Sequence, residues 1–345
     1  MWAGGYPVGS LVLRGYLSMK LLVVIVNYRT PALALACLRS LEKIVHAGLD
    51  ISAVVIDNCS GDDSAGILQQ GLAQMDLAVS ASFMQSTRNG GFAYGNNEVL
   101  RQCFLPFADN SSASEASADV VWLLNPDTYL KQEGILPLLE FMRANPQVGI
   151  VGSRVEDEDG TVRRSGFRKP SIFSEADSAL AIGPVSRLLK RFHVAPEPSA
   201  VPVQVDWVSG ASLFIRAEVF QRVGLMDENY FMYFEEADYC LAAKSKGYQV
   251  WYWPNFSVVH LVGQASGVTG ASRMLKRRPK YWFESRAYFF RKNFGGAYLH
   301  CANLVWLLCY PVGRLWQWLR RKPCEDPPYL WWDFLRYYYL PSVAV

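Results

Sequence analysis

Residues 20–30 read KLLVVIVNYRT, and the six residues 21–26 within them carry only aliphatic side chains. Such a run is typical of a strand in a parallel sheet that is covered on both faces. Thr30-Pro31 follows at once, and proline is favoured in the first turn of a helix. Leucines then recur at helical spacing from Leu35 to Leu41. The sequence therefore predicts that the fold opens with a buried strand and a helix packed against it.

The same alternation continues along the chain. Further strands are predicted at 51–56, 77–84, 120–124, 148–152, 205–215 and 250–260, and helices at 92–104, 133–144 and 235–246. Asp159-Gly160 is a favoured hairpin turn. Residues 171–204 contain several prolines and no strong periodicity, so we expect a variable insertion with a short basic helix near 187–192. Alternating strands and helices predict an α/β fold: a doubly wound, mostly parallel sheet in a single domain.

The composition excludes several classes of protein. The chain has 345 residues, of which 51% are hydrophobic and 19% charged, so it is not disordered throughout. Its net charge of +3 is too small to indicate a nucleic-acid partner. Seven scattered cysteines without a CxxC pair predict reduced, buried thiols in a cytosolic setting.

The two ends of the chain differ from its middle. Residues 1–18 resemble neither a signal peptide nor a membrane span, because Arg14 interrupts a short apolar run, and we expect a loose extension. The segment from Tyr281 onward holds 19 of the 47 aromatic residues, and residues 298–319 are apolar apart from a few interruptions such as Pro311 and Arg314. This pattern predicts a C-terminal helical tail (266–345) that is either an interfacial, membrane-associating helix or a helical subdomain packed on the core.

Polar residues follow three of the predicted strands: Asn27, Asp57, and Asn125 with Asp127. In an open parallel sheet, ligands bind beyond the carboxyl ends of the strands, so these residues predict a polar pocket at one edge. No GxGxxG follows the first strand and no GxxxxGK[ST] is present, which argues against a dinucleotide or a phosphate-loop site. An acidic strand end suggests instead a cation that holds a diphosphate.

Five short motifs occur in a characteristic order. They are Val26-Asn27-Tyr28, Ile56-Asp57-Asn58-x-Ser60, Asn89-Gly90-Gly91-Phe92-Ala93-x-Gly95-x-Asn97, Leu124-Asn125-Pro126-Asp127 and Phe234-Glu235-Glu236-x-Asp238-Tyr239-Cys240. This order resembles family 2 inverting glycosyltransferases, and in particular the rhamnosyltransferase-like enzymes of bacterial surface polysaccharide synthesis. The resemblance covers about residues 20–295 and implies the GT-A fold, a nucleotide-sugar donor and a divalent cation, Mn²⁺ or Mg²⁺.

The resemblance implies roles for the residues at the donor side. Asp57 would accept hydrogen bonds from the base or ribose, with Asn27 beside it; alternatively it is a turn aspartate before Gly61. Asn89 and Gly90 would let the backbone approach the donor, or form an ordinary turn. Asn125-Pro126-Asp127 stands where the family carries its metal motif. Asp127 would then be the carboxylate ligand and His260 a second ligand, unless that histidine is structural.

For the acceptor side the resemblance places the general base at Glu236, with Glu235 or Asp238 as possible substitutes. Acidic residues in a first helical turn are also favoured by the helix dipole alone. Trp207, Ser209 and Gly210 would line the acceptor side, or belong to a core strand with a bulge. The cations Arg286, Arg291 and Lys292 either reach phosphate groups or are solvent-exposed.

The resemblance thus implies an inverting transfer of a sugar, L-rhamnose from dTDP-rhamnose, to a lipid-linked polysaccharide acceptor at the inner face of the cytoplasmic membrane. Residues 19–130 would bind the nucleotide sugar and residues 131–265 the acceptor, while the tail would touch the membrane. The alternative is a non-catalytic, membrane-associated protein of polysaccharide assembly with the same fold. A processive synthase would carry several membrane spans and a QxxRW motif, and the sequence has neither.

Overall fold

The computed structural model describes residues 19–46, 48–104, 118–131, 134–261 and 276–340, so the extension predicted at 1–18 lies outside the described residues. The first half contains β1 (Met19–Asn27), α1 (Pro31–Ser40), β2 (Leu49–Asp57), α2 (Ser64–Gln74), β3 (Ser80–Gln85), α3 (Gly91–Phe104), β4 (Val120–Leu124) and β5 (Thr128–Tyr129). The middle contains α4 (Ile135–Ala144), β6 (Val148–Glu156), β7 (Val162–Arg163), β8 (Gly166–Phe167), α5 (Ile172–Leu180), α6 (Gly183–Leu188), β9 (Val203–Val205), β10 (Trp207–Val208) and β11 (Ser212–Arg216). The chain continues with α7 (Ala217–Val223), α8 (Glu235–Ser245), β12 (Gln249–His260), α9 (Lys280–Phe294), α10 (Gly296–Leu319) and α11 (Leu330–Tyr339).

One sheet runs through both predicted halves, in the order β3-β2-β1-β4-β11-β6-β12-β5. The pairs β3–β2, β2–β1, β1–β4 and β6–β12 are parallel, which confirms the mostly parallel, doubly wound fold. The strand predicted at 205–215 is three short strands instead. β10 pairs with β8 in a separate small sheet, and β11 lies antiparallel between β4 and β6. The segment 209–211 breaks the predicted strand so that the chain can change sheets.

The sheet is covered by helices on both faces. On one face α1, α2 and α4 bury residues such as Leu38, Leu68 and Leu139 against the strands. On the other face α3, α7 and α8 do the same with Leu100 and Phe220 among others. Side chains that alternate between two apolar layers explain why the strands read as continuous aliphatic runs.

The strand register brings the predicted polar ends together. Asn27 at the end of β1 lies directly opposite Asp57 at the end of β2. β4, which leads into Asn125, pairs with β1 on its other side. His260 at the end of β12 lies opposite Thr128 of β5, just after Asp127. Four chain segments therefore converge on one edge of the sheet.

The segment 171–204 is more regular than predicted. It contains α5, whose N-terminus is closed by Ser171 and Ser174 hydrogen-bonding to each other's backbone N–H, in addition to α6 and a 3₁₀ turn at Lys190–Phe192. Helix α5 packs against α10 so closely that a Cβ on Gly313 would lie 2.3 Å from the Leu180 carbonyl oxygen. The segment is thus a built part of the C-terminal packing, which short-range periodicity did not indicate.

A buried arginine connects α9 to three other helices. Arg286 is 2% exposed, and its guanidinium donates to Glu175 of α5 at 2.7 Å, to Asn303 of α10 at 2.6 Å and to Tyr338 of α11 at 3.4 Å. The expectation that Arg286 is solvent-exposed or binds phosphate is therefore wrong. Its charge is used inside the protein to fasten the tail.

The C-terminal helices form a packed subdomain on one side. Phe283, Trp306 and Phe334 share one cluster with Ala179 of α5. Phe289 and Leu299 share another with Ala237 of α8 and with Tyr230, which precedes that helix. Within the described residues, no helix combines the length and apolar content needed to cross a membrane.

The seven cysteines are all free thiols, but their burial differs from the prediction. Cys37 and Cys240 are buried, whereas Cys301 and Cys324 are exposed. Cys301 lies in α10 and Cys324 in the segment that follows it.

We expect Glu175→Ala to lower the free energy of unfolding by about 3 kcal/mol or more, because it leaves the buried Arg286 charge without its carboxylate. Glu140→Ala, which removes an exposed carboxylate from α4, is the matched control and should change stability little. Chemical denaturation measures both. A loss below about 1 kcal/mol for Glu175→Ala would show that this pair does not hold the tail.

Candidate functional site

A cavity of about 600 Å³ lies at the edge where the polar strand ends converge. It is lined by side chains from both predicted halves and from α9. They include Tyr28, Asn58, Asn89, Phe92, Asn125, Asp127, Ser209, Gly210, Phe231, Tyr233, Glu235, Glu236, His260 and Tyr281. Most of the predicted site residues therefore share one cavity.

One wall of the cavity is the turn after β4. Asp127 is 3% exposed, and its Oδ1 lies 3.1 Å from Nε2 of His260. The same imidazole nitrogen is 3.4 Å from the side-chain amide of Asn125. The Asn125 backbone N–H donates to the Ala211 carbonyl at 3.1 Å, which fixes the turn against the segment between β10 and β11.

These two residues fit a divalent cation. Ligands in adjacent positions around an ion, each about 2.1 Å from it, lie about 3 Å apart. The 3.1 Å separation of Asp127 Oδ1 and His260 Nε2 is a hydrogen-bond contact in this structure, and it is also compatible with that spacing. Among the described residues no group of three or more His, Cys, Asp or Glu side chains could hold a metal. A cation here would need further oxygen ligands, such as phosphate or water.

Cys37 lies beneath this turn. Its thiol is 3.6 Å from the Asn125 carbonyl and 3.5 Å from the Thr128 hydroxyl. Burial raises the pKa of Cys37 to about 12, so it is a neutral thiol that packs under the turn.

The cavity is also lined by two adjacent carboxyl groups, Glu235 and Glu236, which are the first two residues of α8. Burial raises the pKa of Glu235 well above its usual value, and the neighbouring Glu236 raises it further. Burial also raises the pKa of Glu236, although backbone amides including that of Gly210 act in the opposite direction. In each side chain, Oε2 has no hydrogen-bond partner among the described residues. Desolvation thus outweighs the stabilisation that the helix N-terminus gives to a carboxylate.

The backbone before Glu235 is strained. Tyr233 and Phe234 have φ values of 72° and 71°, a left-handed conformation that bulky residues rarely adopt. Such strain persists only where surrounding contacts enforce it. Ser285 of α9 donates to the Met232 carbonyl at 2.9 Å, and the Phe234 ring packs on Phe289 of the same helix. The tail therefore holds the loop that presents the two carboxyl groups.

The glycines after Asn89 serve contacts within the chain. A Cβ on Gly90 would lie 2.3 Å from the Tyr94 ring, and one on Gly91 would lie 1.6 Å from the Phe231 carbonyl oxygen. That carbonyl accepts a hydrogen bond from the Phe92 N–H at 3.3 Å. Asn89 lines the cavity and accepts from the Asn58 amide at 3.1 Å. Gly90 does not line the cavity, so its role in donor binding stays a prediction.

Asn27 and Asp57 lie next to the cavity rather than in its lining. Both are almost fully buried, and Asn27 donates to Asp57 Oδ1 at 2.8 Å. Ser60 donates to the same carboxylate from its hydroxyl at 2.5 Å and from its backbone N–H at 3.1 Å. Asn58, the next residue, does line the cavity. Contact of Asp57 with a nucleotide therefore also stays a prediction.

Two further predicted site residues do not line the cavity. The first, Asp238, is 3% exposed and binds Lys292 at 2.6 Å, Asn293 at 2.8 Å and Tyr230 at 3.1 Å. Its carboxylate is used to join α8 to α9, so its position does not support a role as base. Lys292 is thereby an internal partner of Asp238 rather than a phosphate ligand.

Trp207 is the second. Its ring stacks on Phe167 with a centroid distance of 4.0 Å, and its indole N–H donates to the Arg168 carbonyl at 3.0 Å. Of the predicted acceptor residues, Ser209 and Gly210 do line the cavity.

The cavity also has an aromatic wall, whose residues were not among the predicted site residues. Phe231 packs edge-on against Tyr281 at 5.4 Å, and Tyr233 stacks on Tyr281 at 6.0 Å. The aromatic run 230–234 was a visible signal, but Tyr281 comes from α9, far along the chain, and only the packing of the tail brings it here. Aromatic faces of this kind can stack on sugar rings.

A model of the family described as "Glycosyltransferase like family 2" matches residues 19–281. An N-acetylglucosaminyl-diphospho-decaprenol L-rhamnosyltransferase of Mycobacterium tuberculosis is 31% identical over 230 residues, 65% of this chain and 71% of the relative. Rhamnosyltransferase WbbL of Escherichia coli K12 is 23% identical over 171 residues, which cover 50% of this chain and 61% of that protein.

Among solved structures, the mannosyltransferase PcManGT from Pyrobaculum calidifontis, in complex with GDP-Man and Mn²⁺, superposes with a TM-score of 0.50. It is 16% identical, and the match covers 87% of this chain and 74% of that protein. At this identity the likeness concerns the fold alone.

Replacing glycine by alanine should have opposite effects on the free energy of unfolding at two positions, Gly91 and Gly66. Gly91 has a φ of 85°, and a Cβ there would overlap the Phe231 carbonyl. Gly91→Ala should therefore lower the free energy of unfolding by about 2 kcal/mol or more. On α2, nothing lies within 4 Å of a Cβ added at Gly66. Gly66→Ala should raise stability by about 0.5–1 kcal/mol. Denaturant titration of both variants measures this; equal effects would contradict the contact with the loop before α8.

Proposed function

This chain belongs to the glycosyltransferase-like family 2, and from that premise we propose that it transfers a sugar from a nucleotide-diphosphate donor to an acceptor hydroxyl with inversion. Its fold is of the GT-A type, as the likeness to PcManGT shows. The observation that carries the proposal is that Asp127, His260, Glu235 and Glu236 all line a single cavity.

The donor we propose is dTDP-rhamnose. Support comes from relatives that are named as rhamnosyltransferases, including the mycobacterial protein that matches 65% of this chain. Its nucleotide would lie toward Asn58 and Asn89, above the buried Asn27–Asp57 pair, and its diphosphate toward Asp127.

Asp127 and His260 are the residues that would hold Mn²⁺ or Mg²⁺. A cation bound there would stabilise negative charge on the departing diphosphate. In the structure the two side chains contact each other at 3.1 Å, so they lie close enough to share one ion.

Glu236 is the proposed base. Its carboxylate takes the proton of the acceptor hydroxyl while that oxygen attacks the anomeric carbon from the face opposite the diphosphate. The new C–O bond forms as the bond to the diphosphate oxygen breaks, and the nucleoside diphosphate leaves. Glu236 is favoured over Glu235 because it lies beside Gly210 on the acceptor side and is less buried.

The acceptor would enter between Ser209–Gly210 and the wall formed by Phe231, Tyr233 and Tyr281. We propose a lipid-linked polysaccharide precursor, reached by peripheral attachment at the inner face of the cytoplasmic membrane. The name of the mycobacterial relative, which includes a diphospho-decaprenol, supports this class of acceptor. The alternative is a non-catalytic protein of the same assembly system. The presence of Asp127, His260 and Glu236 in one cavity disfavours it.

Asp127→Asn should reduce Mn²⁺-dependent nucleotide release from dTDP-rhamnose by roughly 10²-fold or more, because the variant keeps the shape and loses the charge that holds the cation. Asp76→Asn removes an exposed carboxylate and serves as control. Calorimetric titration of Mn²⁺ in the presence of dTDP should show weaker binding for Asp127→Asn only. Unchanged release and unchanged Mn²⁺ binding would refute the metal site.

Glu236→Gln should lower transfer by roughly 10²–10⁴-fold while donor affinity is kept, because only the proton acceptor is removed. The raised pKa of Glu236 means that its base form is lost as the pH falls, so the acid limb of the wild-type rate profile should lie above the usual value of 4.5. Steady-state transfer across pH tests both points. If Glu235→Gln is the inactive variant and Glu236→Gln is not, the base is Glu235.

A further inference from the structure

Helix α10 has two faces of opposite character. One is buried against α5, α9 and α11, through residues such as Ala302, Trp306 and Gly313. The other carries a row of exposed apolar side chains, which we call the α10 stripe: Leu304 (51% exposed), Leu308 (72%), Val312 (53%), Leu315 (58%) and Leu319 (61%). The successive spacings of four, four, three and four residues place them along one line of the helix.

The stripe is long enough to be a surface rather than scattered exposure. From Leu304 to Leu319 the helix rises about 22 Å at about 1.5 Å per residue. Trp316 and Trp318 near its end are 38% and 73% exposed. Single exposed leucines are ordinary in soluble proteins, but a contiguous apolar row of this length marks an interaction surface.

The charges around the stripe identify the partner. Helix α10 contains no Asp or Glu, and Arg320, Arg321 and Lys322 follow directly after it. All three are exposed, and none makes an ion pair within the described part of the chain. The guanidinium of Arg320 lies 5.4 Å from the Trp316 ring centre, so cationic and aromatic groups share one end of the stripe. Nearby, Glu325 is an exposed acid, whereas Asp326 is paired with Arg314 and Tyr310.

We propose that the α10 stripe binds the surface of a membrane that contains anionic lipids, with α10 lying parallel to that surface. An apolar face, tryptophans at its edge and cations beside it are the features by which helices bind in the interface without spanning it. The inference deepens the proposed function and rests on it in one respect, since it names the surface that would bring the cavity to a lipid-linked acceptor.

A second copy of the chain fits the surface less well. A dimer would bring together two α10 helices without acidic residues and two sets of three cations. The apolar rows could pair, but neither helix would offer a carboxylate to the six cations. Anionic headgroups supply both an apolar boundary and the missing negative charge.

The test is flotation of the full-length protein with vesicles of phosphatidylcholine, alone or mixed with phosphatidylglycerol. Wild type should bind the mixed vesicles, and the L308E/L315E variant should bind them about tenfold more weakly or worse. I67E, which places the same charge on an exposed apolar position of α2, should bind as wild type does. R320E/R321E/K322E should lose the preference for phosphatidylglycerol, and added salt should weaken wild-type binding.

Three outcomes would overturn the inference. They are wild type that does not bind the mixed vesicles, L308E/L315E that binds as wild type does, and a wild-type dimer that L308E/L315E converts to monomers in light scattering without any vesicle binding. Thermal unfolding must show that L308E/L315E remains folded, which its exposed positions favour. Nucleotide release from dTDP-rhamnose separates the two proposals: its absence in a vesicle-binding wild type rejects the glycosyl transfer alone, and its retention by L308E/L315E shows that the stripe acts outside the cavity.

Discussion

The cavity depends on keeping two adjacent carboxyl groups, Glu235 and Glu236, away from water. Their burial is unfavourable, and so is the left-handed backbone of Tyr233 and Phe234 that presents them. Both costs are offset by packing from α9: Ser285 binds the loop backbone, Phe289 packs on Phe234, and Lys292 pairs with Asp238 in the first turn of α8. The C-terminal helices therefore stabilise the site directly, through the contacts of α9 with the loop before α8.

The C-terminal helices have two surfaces with different roles: one packs against the rest of the protein, and the other carries the exposed α10 stripe. The buried Arg286 ties α9 to α5, α10 and α11, and a paired buried charge of this kind is costly to break. On the other side of α10, the stripe is exposed in the described part of the chain. The packed subdomain that the sequence left open is observed on one face of the helix, and the proposed membrane contact would use the other.

Local patterns predicted what depends on local chemistry. Aliphatic runs marked β1, β2 and β4, and the polar residues that end them converge as expected because parallel strands share one carboxyl edge. The failures involve contacts between residues far apart in the chain. Trp207 turns toward Phe167, Asp238 toward Lys292 and Arg286 toward Glu175, and no periodicity within a segment encodes such a partner. Tyr281 was not predicted to line the cavity for the same reason: its position there depends on the packing of α9.

The two groups of ionisable residues in the cavity, Asp127 with His260 and Glu235 with Glu236, differ in their electrostatic surroundings. Asp127 contributes a carboxylate next to His260, and a diphosphate placed beside that carboxylate would be repelled unless a cation lay between them. Desolvation raises the pKa of both Glu235 and Glu236, which makes their carboxylates stronger proton acceptors than exposed ones. For the proposed function, Asp127 and His260 would need phosphate oxygens to complete the ligands of a cation, and Glu236 would supply a carboxylate whose raised pKa suits a proton acceptor.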